Sequence, residues 1–347
     1  MTKLASLTDR LHASMGHSLL IAALCALSAA ANSADIGPGD LPPPIVDVHM
    51  HIQGRDISEE LHKVAARLPA EFRDLSPATL KPRSGADALR VLDEAGIQYG
   101  VLLSEAYMFF SPFAAPDHLD AARLTRQENI YVVSEAAKSK GRLIAFIGID
   151  PLAPNALEEI AYWIEHPGAR GIKLHLANSA FDYHSKGNMA SLAAVFSAAS
   201  AAHLPIAIHM RNNEAFGARE AKQFIDEVLP HAGNLLVQVA HGAGWGGLDQ
   251  RTLDALQTFA EAIAAHRPGT QNLVFDLAVV VTKAKTDPTL AQAYVDCMRK
   301  AGIDRFRFGS DWPAVYEPKA YVARLISQLP LTLAEWKAIF SKRAPYF

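Results

Sequence analysis

The chain has 347 residues, 50% of them hydrophobic and 20% charged, with a formal net charge of -3. That length allows one large barrel or two ordinary domains. The near-neutral balance, with no basic stripe, excludes a nucleic-acid footprint, and two cysteines, Cys25 and Cys297, exclude a disulfide framework.

At the N-terminal side Lys3 and Arg10 precede an apolar run, Leu19 to Leu27, followed by small residues through Ala31, Asn32 and Ser33. A basic start, a short apolar core and small residues at a cut site make the pattern of a secretory signal peptide. The expected cut follows Ser33, which leaves one domain over residues 34–347 and a periplasmic or secreted location. The apolar core is too short for a comfortable membrane span, so no membrane association is expected after cleavage. Leu24 before Cys25 argues against a lipoprotein anchor. An uncleaved amphipathic helix is the alternative.

The chain then alternates. Apolar, β-branched runs occur at Ile45–His49, Tyr99–Ser104, Leu143–Asp150, Gly171–Leu176, Ile206–Met210, Leu235–His241, Leu273–Val279 and Phe306–Asp311. Stretches of helical period lie between them at Ala86–Ala95, Leu119–Lys138, Ala156–Glu165, Met189–Ala202, Ala218–Leu229, Thr252–Ala265, Thr289–Ala301 and Pro318–Gln328. Near-continuous apolar strands separated by helices predict a parallel sheet covered by helices. Eight such pairs predict an α/β fold, a (β/α)8 TIM barrel, with an extra C-terminal helix at Leu333–Ser341. No Gly-x-Gly-x-x-Gly follows the first strand, which weakens a dinucleotide-binding reading. Gly96, Gly141 and Gly302 sit just past predicted helix ends, where a left-handed cap places them.

Chemistry gathers at the predicted strand ends. The first strand runs Val46-Asp47-Val48-His49-Met50-His51, and side chains two apart on a strand share a face. The fourth ends in Lys173-Leu174-His175, the fifth in His209, the sixth in His241 with a glycine-rich loop around Trp245, and the eighth in Asp311. Any one of these is more often a hydrogen-bonded surface group than a ligand. A barrel, however, brings all eight strand ends into one funnel. Imidazole and carboxylate donors meeting there suit zinc, with manganese or iron as alternatives.

Together these residues resemble the amidohydrolase superfamily, in its amidohydrolase-2 branch, which also holds aminocarboxymuconate-semialdehyde decarboxylase. The marks are Val46 to His51, Gly171-Ile172-Lys173-Leu174-His175, Ile206-Ala207-Ile208-His209, Ala240-His241-Gly242 and Gly309-Ser310-Asp311-Trp312-Pro313. The resemblance implies one divalent cation held by His49, His51, His209 and Asp311. It implies that His241 positions or deprotonates the metal-bound water. The ending Lys342-Arg343-Ala344-Pro345-Tyr346-Phe347 departs from the family's Asn-Ala-x-Arg type. Lys173 is expected to balance charge or bind a substrate anion rather than bridge two metals as a carbamylated lysine. His175 is either an orienting neighbour of a ligand or a satisfied inner-barrel residue.

The expected reaction is hydrolysis of a small, carboxylated ester, lactone or amide by metal-activated water. Asp311 would accept the water proton and pass it to the leaving group, and His241, when donating, would stabilise the oxyanion. Arg211 and Arg55 are candidate carboxylate clamps, and Trp245 and Trp312 a candidate apolar wall. The aromatic loop Tyr107 to Phe113 reads as a lid, a specificity wall or a surface for a second subunit in a homodimer. Non-oxidative decarboxylation of an aromatic or muconate-like acid is the alternative activity. A non-catalytic periplasmic metal or ligand binder is the third.

Overall fold

A computed structural model describes residues 36–347, apart from 68–76, 115–119, 213–215, 316 and 345. The signal-peptide assignment therefore lies outside the described residues.

The barrel strands are β1 (Val46–Met50), β2 (Tyr99–Leu103), β3 (Leu143–Gly148), β4 (Ala169–His175), β5 (Ile206–His209), β6 (Val237–Val239), β7 (Leu273–Asp276) and β8 (Phe306–Arg307). They form one parallel sheet in sequence order. Beyond β8 the backbone closes onto β1: Val48 N–H donates to Phe308 O (3.0 Å), Asp311 N–H to His49 O (2.8 Å) and His51 N–H to Trp312 O (2.6 Å). This closure decides the geometry of the site, because it lays the Asp311 segment alongside the His-x-His segment.

The helices are α1 (Arg55–Arg67), α2 (Gly85–Ala95), α3 (Ala121–Ala137), α4 (Ala156–Glu165), α5 (Lys186–Ala201), α6 (Ala218–Glu227), α7 (Gln250–Ala264), α8 (Pro288–Ala301), α9 (Pro318–Gln328) and α10 (Leu333–Phe340). Their starts are chemically marked. Ser84 and Asp87 form a reciprocal capping box on α2, and Thr332 and Glu335 do the same on α10. Gly96 caps α2 in the left-handed region at φ 71. The first βα connection holds a helix that the periodicity reading passed over. In α1, Ile57, Leu61 and Val64 repeat at helical spacing and pack with Tyr107, Met108 and Phe109.

Strands β6 and β8 are shorter than their apolar runs predict. After Val239 the chain leaves the sheet through His241 (φ 56) and Gly242 (φ 55), and Asp311 is also left-handed at φ 61. Left-handed backbone is costly for residues with a Cβ and collects at functional positions.

Inside the barrel, Val46, Val48, Val101, Leu103, Phe146 and Ala207 form an apolar layer, closed from the far mouth by Ala344 and Tyr346. Burying a side chain such as that of Phe146 contributes about 2–3 kcal/mol. A rigid floor of this kind holds the strand ends in fixed register.

Candidate metal centre

His49 and His51 leave β1 on one face, and the register pairs His175 directly with His209 across β4 and β5. His175 and His209 accordingly stack, their rings 3.9 Å apart and 11° from parallel. His241 lies between the two groups, with ring centroids 4.7 Å from His49 and 4.8 Å from His209. Gly309 makes room for this crowding, since a Cβ there would stand 2.9 Å from His49 Cβ.

Hydrogen bonds fix which nitrogen of each ring carries the proton. His49 Nδ1–H donates to Asp276 Oδ2 (3.0 Å), so the lone pair of Nε2 points inward. His51 Nδ1–H donates to the Leu103 carbonyl (2.7 Å), which turns Nε2 inward as well. Both inward atoms face Asp311 Oδ1, at 3.3 Å from His49 and 3.1 Å from His51. Burial opposes a charge on His51, yet its Nε2 contact with Asp311 and the Glu105 charge raise its pKa, so a proton competes with a cation for this gap. Two imidazole nitrogens and a carboxylate oxygen facing one point are a donor set that suits a divalent metal. The donor set itself makes the fit.

The fourth expected ligand stands apart. His49, His51 and Asp311 offer ligand atoms that all lie within 4.8 Å of one another, a group to which His209 does not belong. His209 Nε2–H donates to the Arg211 carbonyl (2.9 Å). Its Nδ1 is buried with no hydrogen-bond partner among the described residues, an acceptor on the same cavity.

Most of the imidazoles are held neutral, His51 being the exception. Burial, with the nearby Lys173 ammonium, lowers His49 to about 3. Burial also drives His209 and His175 well below the usual imidazole range. Neutral rings are the form that binds metal. Burial lowers Lys173 to about 8, and its Nζ stands 3.4 Å from His49 Nε2. Burial works against ionising Asp311, yet the His51 hydrogen bond and the rings of His49 and His241 hold it well below the carboxylate range.

His241 Nδ1–H donates to the Ala278 carbonyl (2.9 Å), and burial lowers its pKa. Its Nε2 is therefore an acceptor. The sequence reading gave His241 a donating, oxyanion-stabilising role, and this tautomer does not support one.

The cavity above these groups has a volume of about 520 Å³, within the range of small-molecule sites. Lys173, His175, Arg211 and Trp245 line it, as do Tyr107, Met108 and Phe113. The aromatic loop is thus a cavity wall, its first part a 3-10 turn at Ala106–Phe110 packed on α1 of the same chain. Arg211 reaches the cavity while paired to Asp249 (2.8 Å). His175 lines the cavity, and its Nδ1 accepts from Asn178 N–H (3.3 Å).

Two expectations fail. Arg55 opens α1 with its side chain 85% exposed and paired to Glu59; it does not line the cavity, because the chain turns outward after Gly54 to start the helix. Trp312 is buried beneath Arg83, whose guanidinium lies 5.1 Å from its ring, and packs instead of forming a wall.

Asp276 escaped the sequence reading, although it is the group on which the centre is built. Its Oδ1 accepts from His241 N–H (2.9 Å) and Ala278 N–H (3.1 Å), its Oδ2 from His49 (3.0 Å) and Gln238 (2.7 Å). Burial alone would raise its pKa; His49 and the amide donors bring it to about 2. The seventh run was read through to Val279, which put Asp276 in mid-strand, yet a lone acid in an apolar run was the available signal. Glu105, directly after β2, was missed as well; it lines the cavity and accepts from Gln53 Nε2 (3.0 Å).

Comparison with known proteins agrees with the fold. The family profile described as amidohydrolase matches residues 46–342. No curated protein sequence matches the chain. Among solved structures, a 5-carboxyvanillate decarboxylase from Novosphingobium aromaticivorans, complexed with manganese and a nitrobenzoic acid, is 15% identical, with a TM-score of 0.57 over 90% of this chain and 98% of that one. A zinc-bound amidohydrolase from Burkholderia multivorans is 16% identical (TM-score 0.54, 86% and 96%). A probable 2-pyrone-4,6-dicarboxylic acid hydrolase from Acinetobacter baumannii is 13% identical (TM-score 0.52, 86% and 96%).

Proposed function

Because the chain belongs to the amidohydrolase family, we propose that it is a metal-dependent hydrolase acting on a small, carboxylated ester, lactone or amide. One observation carries this reading: His49 Nε2, His51 Nε2 and Asp311 Oδ1 converge as three candidate ligand atoms on the floor of a cavity that also holds Lys173 and Arg211.

His49, His51 and Asp311 would hold one divalent cation, with His209 as the fourth donor; zinc is the ion that three imidazoles and a carboxylate favour. When bound, the cation supplies Lewis acidity toward a carbonyl and lowers the pKa of water from about 16 to about 7. The remaining work falls to the chain's own groups. His241, neutral and with a free Nε2, takes the proton of the attacking water. Asp311, kept ionised, orients that water, and His241 returns the proton it has taken to the leaving group. Lys173, the ammonium nearest the centre, faces the negative charge that develops on the carbonyl oxygen. Tyr107, Met108, Phe113 and Trp245 pack against the substrate body, and Arg211 receives its carboxylate.

Non-oxidative decarboxylation of an aromatic or muconate-like acid is the second reading. It is favoured by the aromatic lining beside Lys173, and some solved barrels of this shape are decarboxylases. The residue 1–33 pattern supports placing either activity outside the cytoplasm.

The test is a metal-stripped protein reloaded with zinc or manganese and offered lactones, esters and aryl carboxylates. Hydrolysis predicts acid release that depends on the added metal. Carbon dioxide release without net water addition establishes the second reading. A protein that takes up no metal overturns both.

A further inference from the structure

Barrel interiors are normally filled by layers of branched apolar side chains. Here a polar column runs through the interior. Tyr346 O–H, in the segment that closes the far mouth, donates to Gln238 Oε1 across 2.7 Å. Gln238 Nε2 donates to Asp276 Oδ2 (2.7 Å) and to the Val48 carbonyl (3.3 Å). Asp276 Oδ2 in turn accepts from His49 Nδ1 (3.0 Å). Gln238 and Asp276 are fully buried, and Tyr346 is 7% exposed.

From this column we infer that Gln238 and Tyr346 are positioning residues for the metal centre, coupling the segment under the barrel to the ligand His49. The inference rests on the proposed metal reading.

The direction of each bond follows from donor and acceptor inventory. An ionised Asp276 only accepts, so the Gln238 amide must present its NH2 to it. That leaves Oε1 pointing down the barrel, in a place shielded from water, where it needs a donor. The Tyr346 hydroxyl is that donor, and burial pushes its own ionisation well up, so the proton stays. With all four acceptor positions of Asp276 engaged, its carboxylate cannot rotate. The His49 ring, and the left-handed backbone at His241 that donates to the same carboxylate, are therefore held from below. Groups that orient metal-ligating histidines typically change metal affinity 10- to 100-fold when removed.

The experiment measures the zinc dissociation constant by chelator competition for the wild type and three variants, with Tm recorded for each. Tyr346→Phe removes one oxygen and keeps the ring that packs on Phe146, 5.1 Å away; it is expected to weaken zinc binding about 3- to 10-fold. Gln238→Met, of similar length, is expected to weaken it about 10- to 100-fold. Phe347→Leu disturbs packing on Tyr99 and on the Tyr346 ring, 6.2 Å away, and removes no hydrogen-bonding atom of the column; it is expected to lower Tm and leave the constant unchanged. If Gln238→Met and Tyr346→Phe bind zinc as the wild type does, the positioning role is wrong while the metal reading stands. If Phe347→Leu weakens binding as much as Tyr346→Phe, the effect is packing and the inference fails. A wild type that binds no zinc or manganese removes the metal reading and this inference with it. Should Gln238→Met fail to fold, the comparison of Tyr346→Phe with Phe347→Leu decides alone.

Discussion

His49 and Asp276 are 227 positions apart, and a 3.0 Å hydrogen bond between them sets the polarity of the centre. With Nδ1–H committed to the carboxylate, the other nitrogen of His49 can only accept. Asp276→Asn keeps size and shape but allows the amide to offer its own N–H to the ring. The variant is expected to fold and to bind zinc about 10- to 100-fold more weakly. Chelator competition reads this directly, and unchanged affinity would show that Asp276 is only a packing element.

His241 separates binding from chemistry. Because its Nδ1 is tied to Ala278 and its Nε2 accepts, His241→Asn removes a proton acceptor and leaves the converging trio intact. Metal content should stay near stoichiometric while kcat falls about 10²- to 10⁴-fold. Full turnover in a metal-loaded His241→Asn protein would sink the role assigned to this residue.

Gly309 tests the packing that brings the strands together. A methyl group there would sit 2.9 Å from His49 Cβ and 3.3 Å from Ala278 Cβ. Gly309→Ala is expected to destabilise by about 1–3 kcal/mol, the usual cost of overpacking, and to weaken metal binding because His49 must shift. A calorimetric Tm equal to that of the wild type would contradict the crowding.

Glu128 gives a pH signature away from the metal. Burial raises its pKa from 4.5 to about 8, against the hydrogen bond it accepts from Gly54 N–H. A carboxyl whose folded pKa is raised binds its proton more tightly in the native state. Its contribution is therefore largest below about pH 4.5 and is lost as pH climbs toward about 8. Glu128→Gln keeps an acceptor for Gly54 and removes the titration. Its Tm should vary less than that of the wild type between those limits and exceed it at the alkaline end. Parallel melting curves across that window would show that Glu128 does not titrate this way.

The fold was legible because parallel strands buried on both faces read as apolar runs, and eight of them punctuated by helices leave few architectures. The shared face of His49 and His51 was legible from strand alternation, whereas Asp311, past the end of β8, was singled out by its place after the eighth apolar run and by the family resemblance. What escaped has a common cause. The Asp276, Gln238 and Tyr346 column belongs to the interior beneath the site, and a lone polar residue in an apolar strand carries no sign of the partner it will meet. Arg55 was misplaced because nearness in sequence to His51 says nothing about a helix that starts between them and turns the side chain to solvent. The donor role for His241 failed for a subtler reason: the proton on a histidine ring is decided by the backbone carbonyl opposite, which only the fold reveals.

The central claim is that His49, His51 and Asp311 surround one cation. A crystal grown with zinc, with anomalous data collected on both sides of the metal's absorption edge, addresses it most directly. One peak bonded to His49 Nε2, His51 Nε2 and an Asp311 oxygen is the predicted result. A fully loaded protein whose metal lies elsewhere, or a map with no peak among these three side chains, would contradict it.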